Sequence, residues 1–233
     1  MKNCEEWSTE FDMLYNNITS NQAPGLTEYE KSVFLTREQE AVVVMLYNGT
    51  LRNSFEETEE ITHYLTGLIR HAECNKTGCN VEHLVPNSTV FELPEDLLFR
   101  TLEMCKIDVA GCGVKDAIVV PVTQDEYWRT SRNPFKKQNG NRVLRLSHGE
   151  AEAYGDNAYF TQYSELISDS PIESYSVVYI KRPSPIILVD LDEDGQSING
   201  ETKHMTCALP EALHQTILTG AVKAAKAAWA TVV

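Results

Sequence analysis

The chain has 233 residues, of which 42% are hydrophobic and 23% are charged, and its formal net charge is −14. These values suit a folded protein of one large or two small domains, and the acidity argues against a sequence-reading DNA-binding protein, whose affinity comes mainly from Lys and Arg. The N-terminal segment lacks the apolar stretch of a signal peptide, and no apolar run approaches the ~20 residues of a membrane span, so we expect synthesis in a cytoplasm without membrane attachment.

The first seventy residues carry a helical pattern with recognisable start signals. Apolar residues at helical spacing predict a first helix, namely Phe11, Leu14, Tyr15 and Ile18, and residues 21–25 (NQAPG) end it. Three residue pairs fit the capping box, in which a hydroxyl and a carboxylate or amide satisfy free backbone N–H groups: Thr27 with Glu30, Thr36 with Gln39, and Ser54 with Glu57. They predict helix starts near residues 28, 37 and 55, and Asn48-Gly49 predicts the end of the second helix.

After about residue 80 the pattern changes to short runs rich in branched and aromatic residues. Six runs predict strands: STVFEL, FRTLEMCKIDV, KDAIVVPVT, NRVLRLS, SYSVVYIKR and PIILVDL. Most of them are not separated by a helix long enough for a crossover connection, so we predict a mostly antiparallel sheet.

The C-terminal segment returns to helical spacing. Pro210 suits a first helical position, and the stripe that follows consists of Leu213, Ile217, Ala221, Ala224 and Ala228. We therefore predict an α+β fold with an N-terminal helical region (1–75), a β-rich body (76–205) and a C-terminal helix (206–233) that packs on neighbouring copies or on the helical region.

Residues 190–201 (DLDEDGQSINGE) match the spacing of an EF-hand calcium loop, with carboxylates at Asp190, Asp192 and Asp194. An EF-hand loop follows a helix, but the preceding PIILVD reads as a buried strand and no helix begins directly after Glu201. We therefore favour an acidic hairpin turn between two strands. A calcium-binding module or metal-dependent enzyme that uses Asp190–Glu201 remains the alternative.

A second candidate metal site is the spacing H-x2-C-x4-C-x3-H, formed by His71, Cys74, Cys79 and His83. It matches no common zinc finger closely, so we favour unrelated loop residues. The six cysteines are too sparse for a disulfide scaffold and we expect reduced thiols. No catalytic motif or phosphate-binding loop is present, so we predict no enzyme activity and no cofactor.

One segment opposes the charge of the rest of the chain. Between residues 129 and 145 there is no Asp or Glu but six basic residues, namely Arg129, Arg132, Lys136, Lys137, Arg142 and Arg145. Removing these six charges from −14 leaves −20 on the other 216 residues. This basic segment is either a solvated loop or a contact for a negative partner: another copy of the chain, another acidic protein, or a phosphate backbone. Copies arranged head to tail could set it against the acidic surface of the next subunit.

Ordered blocks across the chain resemble a known family. They are NNITSNQAPGLTEYEKSVFLTREQE, SFEETEEITHYL, PVTQDEYWRTSRNPFKK with RVLRL, PIILVDL with SING, and ALPEALHQTILTGAVKAAKAAW. Together they resemble a virion protein of crAss-like tailed bacteriophages, described as a tail-tubular, head-to-tail adaptor or neck ring protein. The resemblance spans nearly the whole chain.

The resemblance implies a structural role without catalytic residues. Such proteins form a ring, typically of twelve subunits, below the portal vertex of a short-tailed phage, and extend the channel through which the genome leaves. The implied partners are other copies, the portal protein, adjacent tail or neck proteins and passing DNA. The implied location is the neck of the virion, after synthesis in the host cytoplasm. The alternative is a nucleic-acid-binding protein that uses the basic segment on phosphates.

Overall fold

The computed structural model describes residues 2–16, 25–49, 63–77, 83–154, 157–192 and 195–230, with only the backbone of residues 151–160, 229 and 230. The chain forms two compact units. One comprises Met1–Leu68 with Arg182–Val233, and the other comprises Ile69–Lys181. The first unit is mainly helical and the second is built on a sheet, which confirms the predicted α+β fold. None of the helices in the described ranges is both long and apolar enough to span a membrane.

In the described ranges, the helical unit contains α1 (Cys4–Asn16), α2 (Glu28–Tyr47) and a C-terminal helix (His214–Ala230), which a short 3-10 turn (Glu211–Leu213) precedes. Helix α1 buries Trp7, Phe11 and Tyr15, so the predicted apolar stripe is confirmed as far as Tyr15, while Ile18 lies outside the described residues. Lys31 joins α1 to α2, because its buried Nζ lies 2.7 Å from Asp12 and 2.9 Å from Glu28.

Helix α2 begins where the sequence predicts. The backbone N–H of Glu30 donates to the Thr27 hydroxyl (3.3 Å), and the Glu30 carboxylate accepts from the Thr27 N–H (2.8 Å), which completes a capping box. Asn48 caps the C-terminus as predicted, followed by Gly49 at a φ of +66°. The third predicted box, Ser54 with Glu57, lies outside the described residues.

The predicted helix start near residue 37 is wrong, because α2 continues through it without interruption. The two residues of that box are buried and bond to a distant segment instead. The Thr36 hydroxyl accepts from the N–H of Ile186 (3.0 Å) and donates to its carbonyl (3.2 Å). The Gln39 amide donates to the Ser184 carbonyl (2.7 Å) and accepts from the N–H of Ala208 (3.3 Å).

These bonds explain why the run PIILVDL is not the strand that we predict from the sequence. It is irregular, and its single ladder contact is an isolated bridge between Ile187 and Met205. It is nevertheless buried, and the side chains of Ile187, Leu191 and Ile198 cluster together. Since polar side chains of α2 satisfy the backbone of this segment, it needs no partner strand. The prediction of an acidic hairpin turn between two strands at residues 190–201 is therefore wrong: the described residues on either side form no strand, and Ile198 and Glu201 make only an isolated bridge.

Leu213 of the 3-10 turn and Ile217 and Ala221 of the C-terminal helix are buried as predicted. Beyond them the buried stripe passes to Ala225, and the predicted core positions Ala224 and Ala228 are exposed. The helix packs on α1 and α2.

The second unit contains a seven-stranded sheet in the order β1-β7-β3-β4-β5-β6-β2. Its strands are β1 (Ile69–Glu73), β2 (Thr89–Glu92), β3 (Leu97–Val109), β4 (Gly113–Pro121), β5 (Arg142–Tyr154), β6 (Asn157–Ile167) and β7 (Ile172–Lys181). Five of them confirm predicted runs, whereas β1 and β6 were not predicted. Among the strands described, every neighbouring pair is antiparallel except β4 and β5. The predicted mostly antiparallel body is thereby confirmed.

The parallel pair decides where the basic segment lies. Parallel neighbours need a long crossover connection, usually with a helix, and the residues between β4 and β5 supply it with helix α3 (Gln124–Ser131). The basic segment occupies the last part of α3, the loop after it and the start of β5.

Candidate subunit interface

Helix α3 is fixed on the sheet by one buried side chain. Tyr127 is 9% exposed and packs with Leu144 and Leu146 of β5. On the other side of this short helix, Trp128 is 66% exposed. The indole is therefore held at the surface by a helix whose orientation is set by the core.

The loop after α3 is ordered by Asn133. Its side-chain Oδ1 accepts the N–H of Phe135 (3.0 Å), and its carbonyl accepts the N–H groups of Lys136 (3.0 Å) and Lys137 (2.9 Å). Arg142 then donates through Nη1 to the Phe135 carbonyl (2.7 Å), which ties the loop to the start of β5. This turn presents Phe135 with 87% of its surface exposed.

The result is an exposed surface on which aromatic and basic side chains alternate. We call it the basic-aromatic surface; its members are Trp128, Arg129, Arg132, Phe135, Lys136 and Lys137. The Arg132 guanidinium lies 5.7 Å from the centroid of the Trp128 ring. Arg129 pairs with Glu126 at 2.8 Å, but both side chains are more than half exposed, so the pair contributes little. Within the described residues no carboxylate pairs with Lys136 or Lys137.

Arg145 lies in a different environment. Its Nε is 3.0 Å from Oε1 of Glu103 on β3, and the two side chains are only 12% and 13% exposed. Strand β4 pairs with β3 up to Ala117 and with β5 from Ile118 onward, so a cleft opens between β3 and β5, and Arg145 and Glu103 bridge it.

Two serine contacts and a tyrosine complete this bridge. Arg145 Nη1 and Arg100 Nη1 both donate to the Ser147 hydroxyl, at 2.6 and 3.0 Å. The Tyr175 hydroxyl donates to Glu103 (2.5 Å). Burial raises the pKa of Glu103, and the Tyr175 bond and the charge of Arg100 oppose that rise. These two neighbours therefore favour the ionised form of the carboxylate.

The six predicted contact residues are thus divided by the structure. Arg129, Arg132, Lys136 and Lys137 lie together on the basic-aromatic surface, whereas Arg142 and Arg145 direct bonds into their own subunit. Sequence reasoning did not single out Trp128 and Phe135, although both are large aromatic residues inside a charged stretch. It also did not separate Arg145, although Val143, Leu144 and Leu146 around it are buried.

The structure places the described residues of both candidate metal patterns in surroundings that do not form a metal site. Asp190 accepts the backbone N–H of His204 (2.7 Å) and lies 2.8 Å from its ring nitrogen Nδ1, and these bonds hold the pKa of Asp190 below its usual range. Asp194 and Cys79 lie outside the described residues. Cys74 is buried, and burial raises its pKa to about 11. Across the ranges that the structure covers, no three His, Cys, Asp or Glu side chains are placed to hold a metal ion.

Comparison with known proteins gives a consistent result over the whole chain. The family model described as phage tail ring protein 3/4 matches residues 1–232. Ring protein 3 of Bacteroides phage crAss001 is 38% identical over 229 residues, which cover 95% of this chain and 94% of the relative. Ring protein 4/5 of the same phage is 36% identical over 248 aligned positions, which cover 97% of this chain and 93% of the relative. The chain belongs to the phage tail ring protein 3/4 family.

Proposed function

We propose that this chain is a noncatalytic structural subunit that assembles with copies of itself into a closed ring in the phage virion, and that the basic-aromatic surface is one side of the contact between neighbouring copies. The observation that carries this proposal is the surface itself. An acidic chain presents exposed Trp128 and Phe135 beside Lys136 and Lys137, for which the described residues supply no carboxylate partner.

The chemistry of this surface suits a protein partner. Trp, Phe and Arg are enriched in protein interfaces, and Trp and Arg are enriched among the residues that dominate binding energy. Because Tyr127 and Asn133 hold the helix and the loop in place, little ordering is needed on association. An acidic neighbour would compensate Arg132, Lys136 and Lys137 and cover the two aromatic rings.

The place of the ring follows from the resemblance. We propose that twelve copies form the ring in the neck of a short-tailed phage, below the portal protein, against which and against adjacent tail proteins it docks. The ring extends the channel for the genome. Its net charge of −14 per copy supports this role, because an acidic lumen repels phosphates and lets DNA pass without capture.

Charge reversal on the surface tests the subunit contact. The wild-type protein should form rings by native mass spectrometry and negative-stain microscopy, while Lys136→Glu/Lys137→Glu should remain monomeric with an unchanged melting temperature. A control with the same charge change, Lys115→Glu/Lys203→Glu, alters two exposed lysines elsewhere and should assemble normally. Rings of unchanged abundance in the first variant would contradict the proposed contact.

The alternative reading as a nucleic-acid-binding protein makes a different prediction. Basic and aromatic side chains together also bind nucleic acid, and such binding weakens steeply with salt. Fluorescence anisotropy with duplex and single-stranded DNA between 50 and 200 mM salt, a range over which phosphate contacts lose most of their affinity, would distinguish the two functions. We expect no binding by the assembled ring; salt-sensitive binding that Lys136→Glu/Lys137→Glu removes would favour the alternative.

A further inference from the structure

The hairpin of β5 and β6 extends beyond the rest of the sheet. The two strands pair with each other from Leu144↔Ile167 to Tyr154↔Asn157. The neighbour of β5, strand β4, pairs with it only as far as Arg145, and the neighbour of β6, strand β2, pairs with it only as far as Tyr163. We call residues 148–154 and 157–161 the arm; in the described part of the chain, no further strand lies beside it.

In the described ranges, the backbone N–H and C=O groups on both outer edges of the arm have no ladder partner. Free strand edges invite pairing, and folded proteins usually cover or charge them. The edges of the arm are charged rather than covered, because its sequence contains Glu150 and Glu152 and no Lys or Arg. The arm is therefore an acidic projection, opposite in charge to the basic-aromatic surface.

Strand β5 places these two features apart. It begins at Arg142, whose side chain bonds the loop that carries Phe135, and it ends at Tyr154 in the arm. At about 3.3 Å per residue, Glu150 lies roughly 26 Å and Tyr154 roughly 40 Å along the strand from Arg142. The arm and the basic-aromatic surface therefore lie at opposite ends of one strand and cannot neutralise each other within a subunit.

We propose that the arm of one subunit docks on the basic-aromatic surface of the next copy. This inference rests on the proposed ring and names the acidic side of its subunit contact. The acidic hairpin compensates Lys136 and Lys137 and covers Trp128 and Phe135. Since two different surfaces meet, the contact is heterologous, and repetition of it closes a ring when the rotation allows.

Two charge-reversed variants test the pairing. Lys136→Glu/Lys137→Glu makes the surface acidic, and Glu150→Lys/Glu152→Lys makes the arm basic. Each alone sets like charges against each other, so we expect association at least about ten-fold weaker than in the wild type. An equimolar mixture should co-assemble into rings with alternating subunits, and a single chain with all four changes should form rings as well. Damage to folding would not be rescued in this way.

A matched control for the arm is Glu92→Lys/Glu173→Lys, which changes the net charge equally at two exposed positions on other strands. It should assemble like the wild type. Native mass spectrometry and sedimentation velocity report the outcome for all variants.

The possible failures are distinguishable. If Glu150→Lys/Glu152→Lys assembles normally while the surface variant does not, or if the mixture stays dissociated, the arm is not the partner although the ring stands. If the wild-type chain forms no ring, the proposed function fails and the inference fails with it.

Discussion

Replacing Arg145 with Met separates the two roles that a basic residue of this segment can have. The change removes the charge while retaining most of the aliphatic volume, so Glu103 would remain buried with only the Tyr175 hydroxyl and the nearby Arg100 to stabilise it. We expect a loss of subunit stability rather than a specific loss of assembly.

The magnitude follows from the burial of the pair. Removing one partner of a buried ion pair costs about 3–5 kcal/mol. Arg145 and Glu103 retain 12% and 13% exposure, and Arg100 compensates part of the charge, so we expect about 2–3 kcal/mol. For a chain of 233 residues, this corresponds to a fall in melting temperature of roughly 4–12 °C.

Thermal melting followed by circular dichroism measures this loss, and a second variant identifies its source. Arg145→Met/Glu103→Gln removes both charges and should recover most of the stability, since the cost comes from an uncompensated carboxylate. The reasoning is refuted if Arg145→Met melts within about 1 °C of the wild type, a shift that corresponds to well under 1 kcal/mol. It is equally refuted if this variant loses rings at a temperature where its fold is intact, because Arg145 would then act between subunits.

Three further outcomes follow from the helical unit and the thiols. Thr36→Val should lower the free energy of unfolding in urea by about 1–3 kcal/mol, because the buried N–H of Ile186 loses its acceptor, while Thr36→Ser should retain most of the stability; equal losses would contradict this bond. Burial lowers the pKa of His214, so stability present above its ordinary pKa is lost as pH falls through the folded value, and the decline in melting temperature from about pH 7 to 5 should be shallower in His214→Gln. Iodoacetamide at about pH 8, near the ordinary thiol pKa, should modify exposed Cys112 in the folded protein. Cys207, whose pKa burial raises to about 11, should react only after unfolding, as peptide mapping would detect.

Local sequence signals predicted the elements whose conformation is favoured by their own side chains. The Thr27 box started α2, and alternating branched residues formed β3, β4 and β7, because in each case the local preference and the tertiary packing agree. The Thr36–Gln39 pair misled because the same polar groups can cap a helix or satisfy a distant backbone, and only the fold decides which backbone is near.

The missed strands have related causes. Strand β1 (IRHAE) is short and mixed in polarity, and its composition does not favour a strand. It forms one because it pairs with β7. Strand β6 pairs with β5 along its whole length, but polar residues interrupt its apolar positions.

For the candidate interface, the charge pattern predicted which segment is involved, but it did not predict which side chains of that segment lie together on the surface. Charge alone cannot tell an exposed lysine from an arginine that bridges two strands. That distinction appears only when β4 leaves β3 for β5 and opens the space that Arg145 fills.

The parallel pairing of β4 with β5 has a consequence for how such a subunit can diversify. A hairpin turn between antiparallel strands is short and fixes their register, so its residues are hard to exchange. The connection here must be long for topological reasons, and apart from Tyr127 it contributes little to the core. Many side chains of this connection can therefore be exchanged, in evolution or by grafting, without any change in the sheet. The same fold can in this way acquire different binding partners.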